Sequence, residues 1–221
     1  TNRPDLWGHY GIAREFAALS GRELKPLPTV DLEQYNSLPK VDMKIEDPLC
    51  QRYSCMQVEN ITKTVSPVNM RIRLFYCGMR AINFLADLTN YQTLDGVDRN
   101  IDENTLMICN DNTPVAIAGI MGGLDSEIVD DTTTLTLESA TFDAASIRKS
   151  TVRLSHRTDA SMRYEKCLDP EMTTVAIARF INLLQSIDPE SKVVSALTDE
   201  YAFHYDKVEL KFDKAFVDKY T

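Results

Sequence analysis

The chain has 221 residues, of which 43% are hydrophobic and 26% are charged, and its formal net charge at pH 7 is -9. This composition is typical of a globular protein with one large or two small domains, and it supplies a core that needs no disulfide or metal. The acidic excess argues against a protein that coats nucleic acid, because such binding depends on Lys and Arg at the phosphates; a local basic patch remains open. No apolar run is long enough to cross a bilayer.

The first half of the sequence predicts two helices and two strands. Residues 5–20 predict a helix that stops at Gly21, and Ser66 and Pro67 begin a second helix that ends at Gly78. Alternating apolar and polar residues predict half-buried strands over residues 41–47 and 53–61.

The second half predicts more strands, with helices between them. The predicted strands cover residues 106–109, 114–121, 134–140, 192–197 and 208–212. Helices are predicted to begin at Asp143, at Asp159 and after Asp169. Strands and helices do not alternate regularly, so the predicted class is mixed α and β, with a β-rich core and flanking helices rather than a doubly wound sheet.

Cysteine and histidine spacing predicts no metal site. The five cysteines include no C-x-x-C pair, and three histidines do not complete a zinc constellation at short spacing. Reduced and mostly buried thiols are the expected state.

Three features carry chemistry, and each also has an ordinary structural explanation. Residues 118–123 are glycine-rich without the Lys and Ser/Thr of a phosphate loop, so they indicate a tight turn or a pocket wall with free N–H donors. Glu138 lies opposite the Leu135 and Leu137 face of its strand, where a solvated carboxylate is the simplest interpretation. Residues 148–166 contain six basic and two acidic side chains, which indicates a solvated helix face or a landing site for phosphates.

Taken in order, these motifs resemble the β subunit of phenylalanyl-tRNA synthetase, in the central editing module made by its third and fourth domains. The resemblance covers nearly the whole chain and is specific as an ordered set, although each motif alone is weak. The motifs are NRPD at 2–5, GIARE at 11–15, DLTNY at 87–91, GIMGG at 119–123, LESATF at 137–142, RTDAS at 157–161, RYE at 163–165 and DP at 169–170.

The resemblance implies an organisation and a set of partners. Residues 1–205 are expected to form the editing module as two intertwined subdomains, and residues 206–221 to start a following, truncated domain. The family joins phenylalanine to its tRNA in the α subunit, so ATP and Mg are expected elsewhere in the parent enzyme and no cofactor in this part. The expected partners are the tRNA for phenylalanine and the α subunit, in a cytoplasmic heterotetramer of two α and two β subunits without a membrane.

The activity implied by the resemblance is post-transfer editing, the hydrolysis of tyrosine misattached to the phenylalanine tRNA. An apolar pocket for phenylalanine rejects an added hydroxyl poorly, so a second site that binds the hydroxyl is needed. Phenylalanine in that second site would leave buried polar groups unpaired, at about 1–3 kcal/mol per group.

The family's functional positions transfer to individual residues of this chain. Glu138 is expected to accept the tyrosine hydroxyl, with a backbone N–H near Gly119 as partner donor. Small residues are expected to shape the pocket, and arginines to bind tRNA: Gly122, Thr158 and Ala160 for the pocket, and Arg148, Arg153 and Arg157 for tRNA. Thr89 and Asn90 are expected near the ester. A positioned water is the expected nucleophile, because no Ser or Cys with an adjacent base is evident.

The sequence departs from the family after Tyr91, where a loop with a His-Ala-Phe-Asp motif normally follows. Here Gln92 follows directly, so the histidine usually counted in the site is absent. Either the loop is deleted, or the printed sequence joins the two sides of an omitted segment, which is the favoured explanation because loops beside ligand sites are often disordered. The missing histidine favours an alternative function, a module that only positions tRNA and has no hydrolytic activity. A subunit scaffold without a site is the third hypothesis.

Overall fold

The computed structural model describes residues 3–85, 101–123, 126–206, 209, 211 and 213–219. Thr89, Asn90 and the junction between Tyr91 and Gln92 lie outside these residues, as does most of the predicted strand 208–212. Within the described ranges, no helix is both long and apolar enough to span a membrane.

The elements confirm a mixed α and β fold. The strands are β1 (Cys50–Glu59), β2 (Met107–Asn110), β3 (Thr113–Ile117), β4 (Met121–Gly122), β5 (Leu135–Phe142), β6 (Lys192–Val193) and β7 (Thr198–Tyr201). The helices are α1 (His9–Ser20), α2 (Val68–Tyr76), α3 (Ala144–Arg153), α4 (Asp159–Tyr164), α5 (Met172–Ile187) and α6 (Lys214–Val217).

β1 is the centre of the main sheet. β5 pairs with it antiparallel along one edge, and β6 and β7 pair antiparallel with its other edge. The second sheet is a small antiparallel meander of β2, β3 and β4. The predicted strand 114–121 is therefore two strands, because a turn at residues 118–120 reverses the chain.

The predicted strand over residues 41–47 is wrong, since this segment is irregular. The Ile45 N–H donates to the Glu200 carboxylate at 2.9 Å, so it does not join the backbone ladder of β7. The first predicted helix is instead a 3-10 turn, Pro4–Trp7, followed by α1, because Gly8 is extended between them. Gly21 ends α1 in the left-handed conformation, as predicted.

Two hydrophobic clusters lie on opposite faces of the main sheet, because successive strand residues point to opposite sides. The first cluster packs α5 against the sheet and includes Met56, Val58, Leu137, Ile181 and Leu184. The second cluster lies on the other face and packs the second sheet and α3 against β5. Its buried residues are Cys50, Ala118, Ile120, Ala140, Phe142 and Ile147.

Side-chain caps fix the two helices that follow β5. The Asp143 carboxylate accepts a hydrogen bond from the Ser146 N–H at 2.7 Å, which begins α3 as predicted. The Thr158 hydroxyl accepts from the Ser161 N–H at 3.0 Å and caps α4, which begins at Asp159 as predicted. Both helices are thereby held beside the second cluster.

The five thiols are free, but only Cys50 and Cys55 are buried, so the expectation of mostly buried cysteines is wrong. The other three, Cys77, Cys109 and Cys167, are exposed. Among the described residues, no three His, Cys, Asp or Glu side chains are grouped so as to hold a metal ion.

Candidate functional site

Glu138 lies on β5 at the edge of the region that the second cluster covers. On β5 it stands directly opposite Cys55 of β1, and it shares a face with Ala140 and Phe142, which the second cluster covers. In the other direction along this face, Thr136 is exposed and its hydroxyl accepts from the Gln57 amide at 3.3 Å. The carboxylate thus stands at the boundary between a covered and an open half of one sheet face.

The Glu138 side chain is exposed to solvent, and yet protein surrounds it on most sides. The crowding removes part of its hydration and raises the pKa of Glu138 to about 7, while the nearby Tyr53 hydroxyl acts in the opposite direction. A fully solvated carboxylate, the simplest interpretation of the sequence, does not have this environment.

The thiols beside Glu138 are not nucleophiles at neutral pH. Burial, followed by the negative charge of Glu138, raises the pKa of Cys50 to about 12 and that of Cys55 to about 11. The thiolate is the reactive form of cysteine, and both groups therefore stay protonated near pH 7.

The glycine-rich segment forms a turn that requires Gly119. Its φ is +65°, a left-handed conformation that favours glycine. A Cβ there would lie 3.1 Å from Phe142 Cδ2, 3.2 Å from Ile147 Cδ1 and 3.2 Å from Tyr164 Cγ. Over the described part of the chain, the Gly119 N–H donates to no acceptor. Both interpretations of the segment, a tight turn and a free donor, therefore apply to the same residue.

Thr158 joins α4 to this turn. Besides capping α4, its hydroxyl donates to the Ile120 carbonyl at 2.8 Å, and the residue is buried. Gly122 pairs with Ala116 across β3 and β4, and Ala160 is half-buried in the first turn of α4. The structure therefore brings Gly119, Gly122 and Thr158 to one junction, which contacts Phe142 of the Glu138 strand through Gly119 and Tyr164.

The three predicted tRNA-binding arginines have different surroundings. Arg153 forms an ion pair with Asp102 at 2.8 Å and donates to the Thr105 hydroxyl at 2.8 Å, which ties α3 to the loop before β2. Arg157 pairs with Glu165 at 2.7 Å. Arg148 is exposed on α3 and has no ion pair with any described residue.

Sequence reasoning missed a polar cluster on the α5 face of the main sheet. The Arg52 guanidinium donates two hydrogen bonds to Asp199, at 2.9 and 2.8 Å, and one to the Pro170 carbonyl at 3.1 Å. Ser54 donates to the same carboxylate at 2.6 Å. No short spacing reveals this cluster, because Arg52 and Asp199 come together only when β1 pairs with β7.

Comparison with known proteins agrees with the motifs. Residues 91–189 match the B3/4 domain family. The chain is 36% identical to the "Phenylalanine--tRNA ligase beta subunit" of Solibacter usitatus, over 90% of this chain and 30% of that protein. It is 34% identical to the subunit of the same name from Clostridium tetani, over 100% of this chain and 32% of that protein.

The chain corresponds to a part of the phenylalanine–tRNA ligase β subunit. It spans about 30% of the length of the curated relatives that it matches. The alignment with the Clostridium tetani subunit has 256 positions, 35 more than the 221 residues of this chain. At least 35 positions of that alignment therefore have no counterpart here. Within the described part of the B3/4 match lie Gly119, Glu138 and Thr158.

Proposed function

We propose that this part of the β subunit hydrolyses tyrosine misattached to the tRNA for phenylalanine. The observation that carries the proposal is the position of Glu138, a crowded but solvent-accessible carboxylate at the edge of the second cluster. Such a group accepts a hydrogen bond from a phenol and offers nothing to phenylalanine. The site would therefore select tyrosine over phenylalanine, a distinction that an apolar synthetic pocket makes poorly.

The ester would be cleaved by water, since Cys50 and Cys55 stay protonated at neutral pH. In this proposal the junction of the Gly119 turn with α4 forms one wall of the pocket. Its small residues, with the N–H of Gly119, supply room and a donor beside the ring. Thr89 and Asn90 remain the proposed neighbours of the ester. ATP, Mg and the α subunit belong, in this proposal, to the synthetic reaction elsewhere in a cytoplasmic parent enzyme.

Replacing Glu138 by alanine in the assembled ligase should abolish most of the preference for tyrosyl-tRNA over phenylalanyl-tRNA. A hydrogen bond to a charged acceptor is worth about 1.5–3 kcal/mol, so the expected loss of preference is about 10- to 100-fold. The measurement is the rate of deacylation of both mischarged and correctly charged tRNA. Glu190→Ala, which removes an exposed carboxylate between α5 and β6, is the matched control. Unchanged selectivity in Glu138→Ala would remove Glu138 from the site.

tRNA binding is proposed to use the exposed Arg148 more than its neighbours. Replacing Arg148 by alanine should reduce the salt dependence of tRNA binding by about one phosphate contact, a change of roughly 0.7–0.9 in the slope of log K against log salt. Arg153→Ala is the comparison variant, because its guanidinium already pairs with Asp102. Equal slopes for Arg148→Ala and the unmodified enzyme would return Arg148 to a solvated helix face.

A scaffold role is the second candidate, and a specific observation favours it. Large apolar side chains are exposed on α1 and α2, including Phe16, Ile72 and Phe75. Exposed apolar groups of this kind mark contacts with other protein surfaces when they form a patch. An assembled ligase that binds tRNA but does not deacylate tyrosyl-tRNA would favour this role over editing.

A further inference from the structure

We infer that the exposed face of α2 is a docking surface for an acidic amphipathic helix from another part of the same β subunit. Four apolar side chains recur on α2 at the spacing of one helix face, and each is between 50% and 84% exposed: Val68, Ile72, Phe75 and Tyr76. The inference concerns this apolar stripe and not the Glu138 site, so it is independent of the editing function.

The contacts that α2 makes with the rest of the described chain are few for a helix. Leu74 is the one residue of α2 that the described chain buries, and helical geometry places it away from the apolar stripe. Isolated helices shorter than about 12–15 residues are marginal in water, and α2 has nine residues. Contiguous exposed apolar groups mark interaction sites. A partner packed on the stripe would therefore complete the burial of α2.

Arginines surround the apolar stripe and define the charge of its partner. Arg71 and Phe75 line two adjoining grooves along α2, and Arg80 lines the second of them. Arg71, Arg73 and Arg80 are exposed and form no ion pair with any residue that the structure describes. This local positive charge, in a chain of net charge -9, is complementary to carboxylates that flank an apolar helix face.

Two other occupants fit this face less well. A second copy of the chain would meet α2 through a symmetric contact, which would bring the arginines of the two copies together. Single-stranded RNA needs aromatic stacking platforms beside basic groups, whereas Val68 and Ile72 offer aliphatic contacts that suit a protein. An amphipathic helix with apolar residues at i, i+4 and i+7 supplies both the apolar contacts and the carboxylates.

The remainder of the β subunit is the favoured source of this helix. The chain spans 30% and 32% of the β subunits of Solibacter usitatus and Clostridium tetani, so most of a subunit of that length lies outside it. A covalent connection gives a segment of the same subunit a high effective concentration at α2, so even a shallow groove would hold it.

The experiment places the photoreactive residue benzoylphenylalanine in place of Phe75 in the assembled ligase. Irradiation should join this position to one segment of the same β subunit, with apolar residues at helical spacing and Asp or Glu beside them. Mass spectrometry identifies the segment, and the mass of the denatured product separates a link within one β subunit from a link between subunits. The matched control replaces Val152 of α3, which is 73% exposed against 75% for Phe75, and should not capture that segment.

Charge reversal tests the acidic character of the partner. Arg71→Glu should lower the yield of the crosslink about fivefold at low salt, and the loss should shrink as added salt screens the ion pairs. Lys149→Glu makes the same charge change at an exposed residue of α3 and should leave the yield unchanged. A lysine in place of an acidic residue of the captured segment should restore the yield in Arg71→Glu.

The outcomes separate this inference from the proposed function. Capture of the α subunit, a second β subunit or tRNA at position 75 would overturn the inference, as would the absence of any capture. A crosslink whose yield does not change in Arg71→Glu would overturn the acidic character of the partner. Deacylation of tyrosyl-tRNA tests the Glu138 site separately, so either proposal can fail while the other stands.

Discussion

Replacing Arg52 by methionine should lower the free energy of unfolding of this chain by about 1.5–3 kcal/mol, because it removes the charge-assisted hydrogen bonds from a buried guanidinium to the partly exposed Asp199 carboxylate. Arg52 is 7% exposed and lies at the centre of the cluster on the α5 face. Its guanidinium binds Asp199 through two nitrogens and lies over the Tyr201 ring, with 4.4 Å between Cζ and the ring centroid. Methionine fills the space but supplies no donor to the carboxylate.

Urea unfolding of Arg52→Met measures the loss, and two further variants test its cause. Arg52→Met with Asp199→Leu removes both charges, so much of the lost stability should return. Lys44→Ala breaks an exposed pair with Glu46, whose side chains are 75% and 79% exposed, and should cost less than about 1 kcal/mol. If Arg52→Met and Lys44→Ala cost the same, the Arg52 cluster contributes no more than a surface pair.

This cluster also bears on the candidate site, because both use β1. Arg52 and Ser54 point to the α5 face, and Tyr53 and Cys55 point to the Glu138 face. Bonds from Arg52 to Asp199 and to the Pro170 carbonyl join β1 to β7 and to the segment before α5. Fixing β1 from one side therefore fixes the strand that presents Tyr53 on the other.

The parts of the fold that the sequence predicted are those that depend on neighbouring residues. Asp143 caps α3 and Gly21 ends α1. The alternation of β5 places Glu138 and Leu137 on opposite faces of the sheet. Each follows from a short-range rule of capping or periodicity. The strand predicted over residues 41–47 is wrong because it relied on a short-range rule alone. Its alternation does not indicate whether a neighbouring strand has backbone groups available to pair with it.

The parts that could not be predicted depend on contacts between distant segments. The alternation of apolar and polar residues assigns the side chains of β5 to two faces. It does not predict that the second sheet covers only part of the face that carries Glu138. Cys55 and Glu138 meet through strand pairing, and Arg153 pairs with Asp102 through the packing of α3 on an earlier loop. The basic character of residues 148–166 is evident in the sequence, but the pairing of Arg153 and Arg157 is not.

Replacing Asp188 by asparagine is the second change with a large expected effect, a loss of about 3 kcal/mol in the free energy of unfolding. Asp188 is fully buried just after α5. Its carboxylate accepts from the Thr62 N–H at 2.6 Å, the Thr62 hydroxyl at 2.8 Å and the Lys63 N–H at 3.0 Å. An amide loses the negative charge and replaces one acceptor oxygen by a donor group, so the two N–H bonds weaken and the Thr62 hydroxyl must turn to accept.

The pH dependence of this loss distinguishes the carboxylate from a packing effect. Burial opposes ionisation of Asp188, but the hydrogen bonds from Thr62 and Lys63 outweigh it and lower its pKa below the ordinary value. The folded chain then holds fewer protons than the unfolded chain at low pH. The stability from Asp188 is therefore complete above about pH 4 and is lost as the pH falls through the lowered pKa. The gap in unfolding free energy between the unmodified chain and Asp188→Asn should narrow over that range in urea titrations at successive pH values. Asp131→Asn, an exposed change, should show no such gap; a constant gap for Asp188→Asn would instead assign the loss to packing.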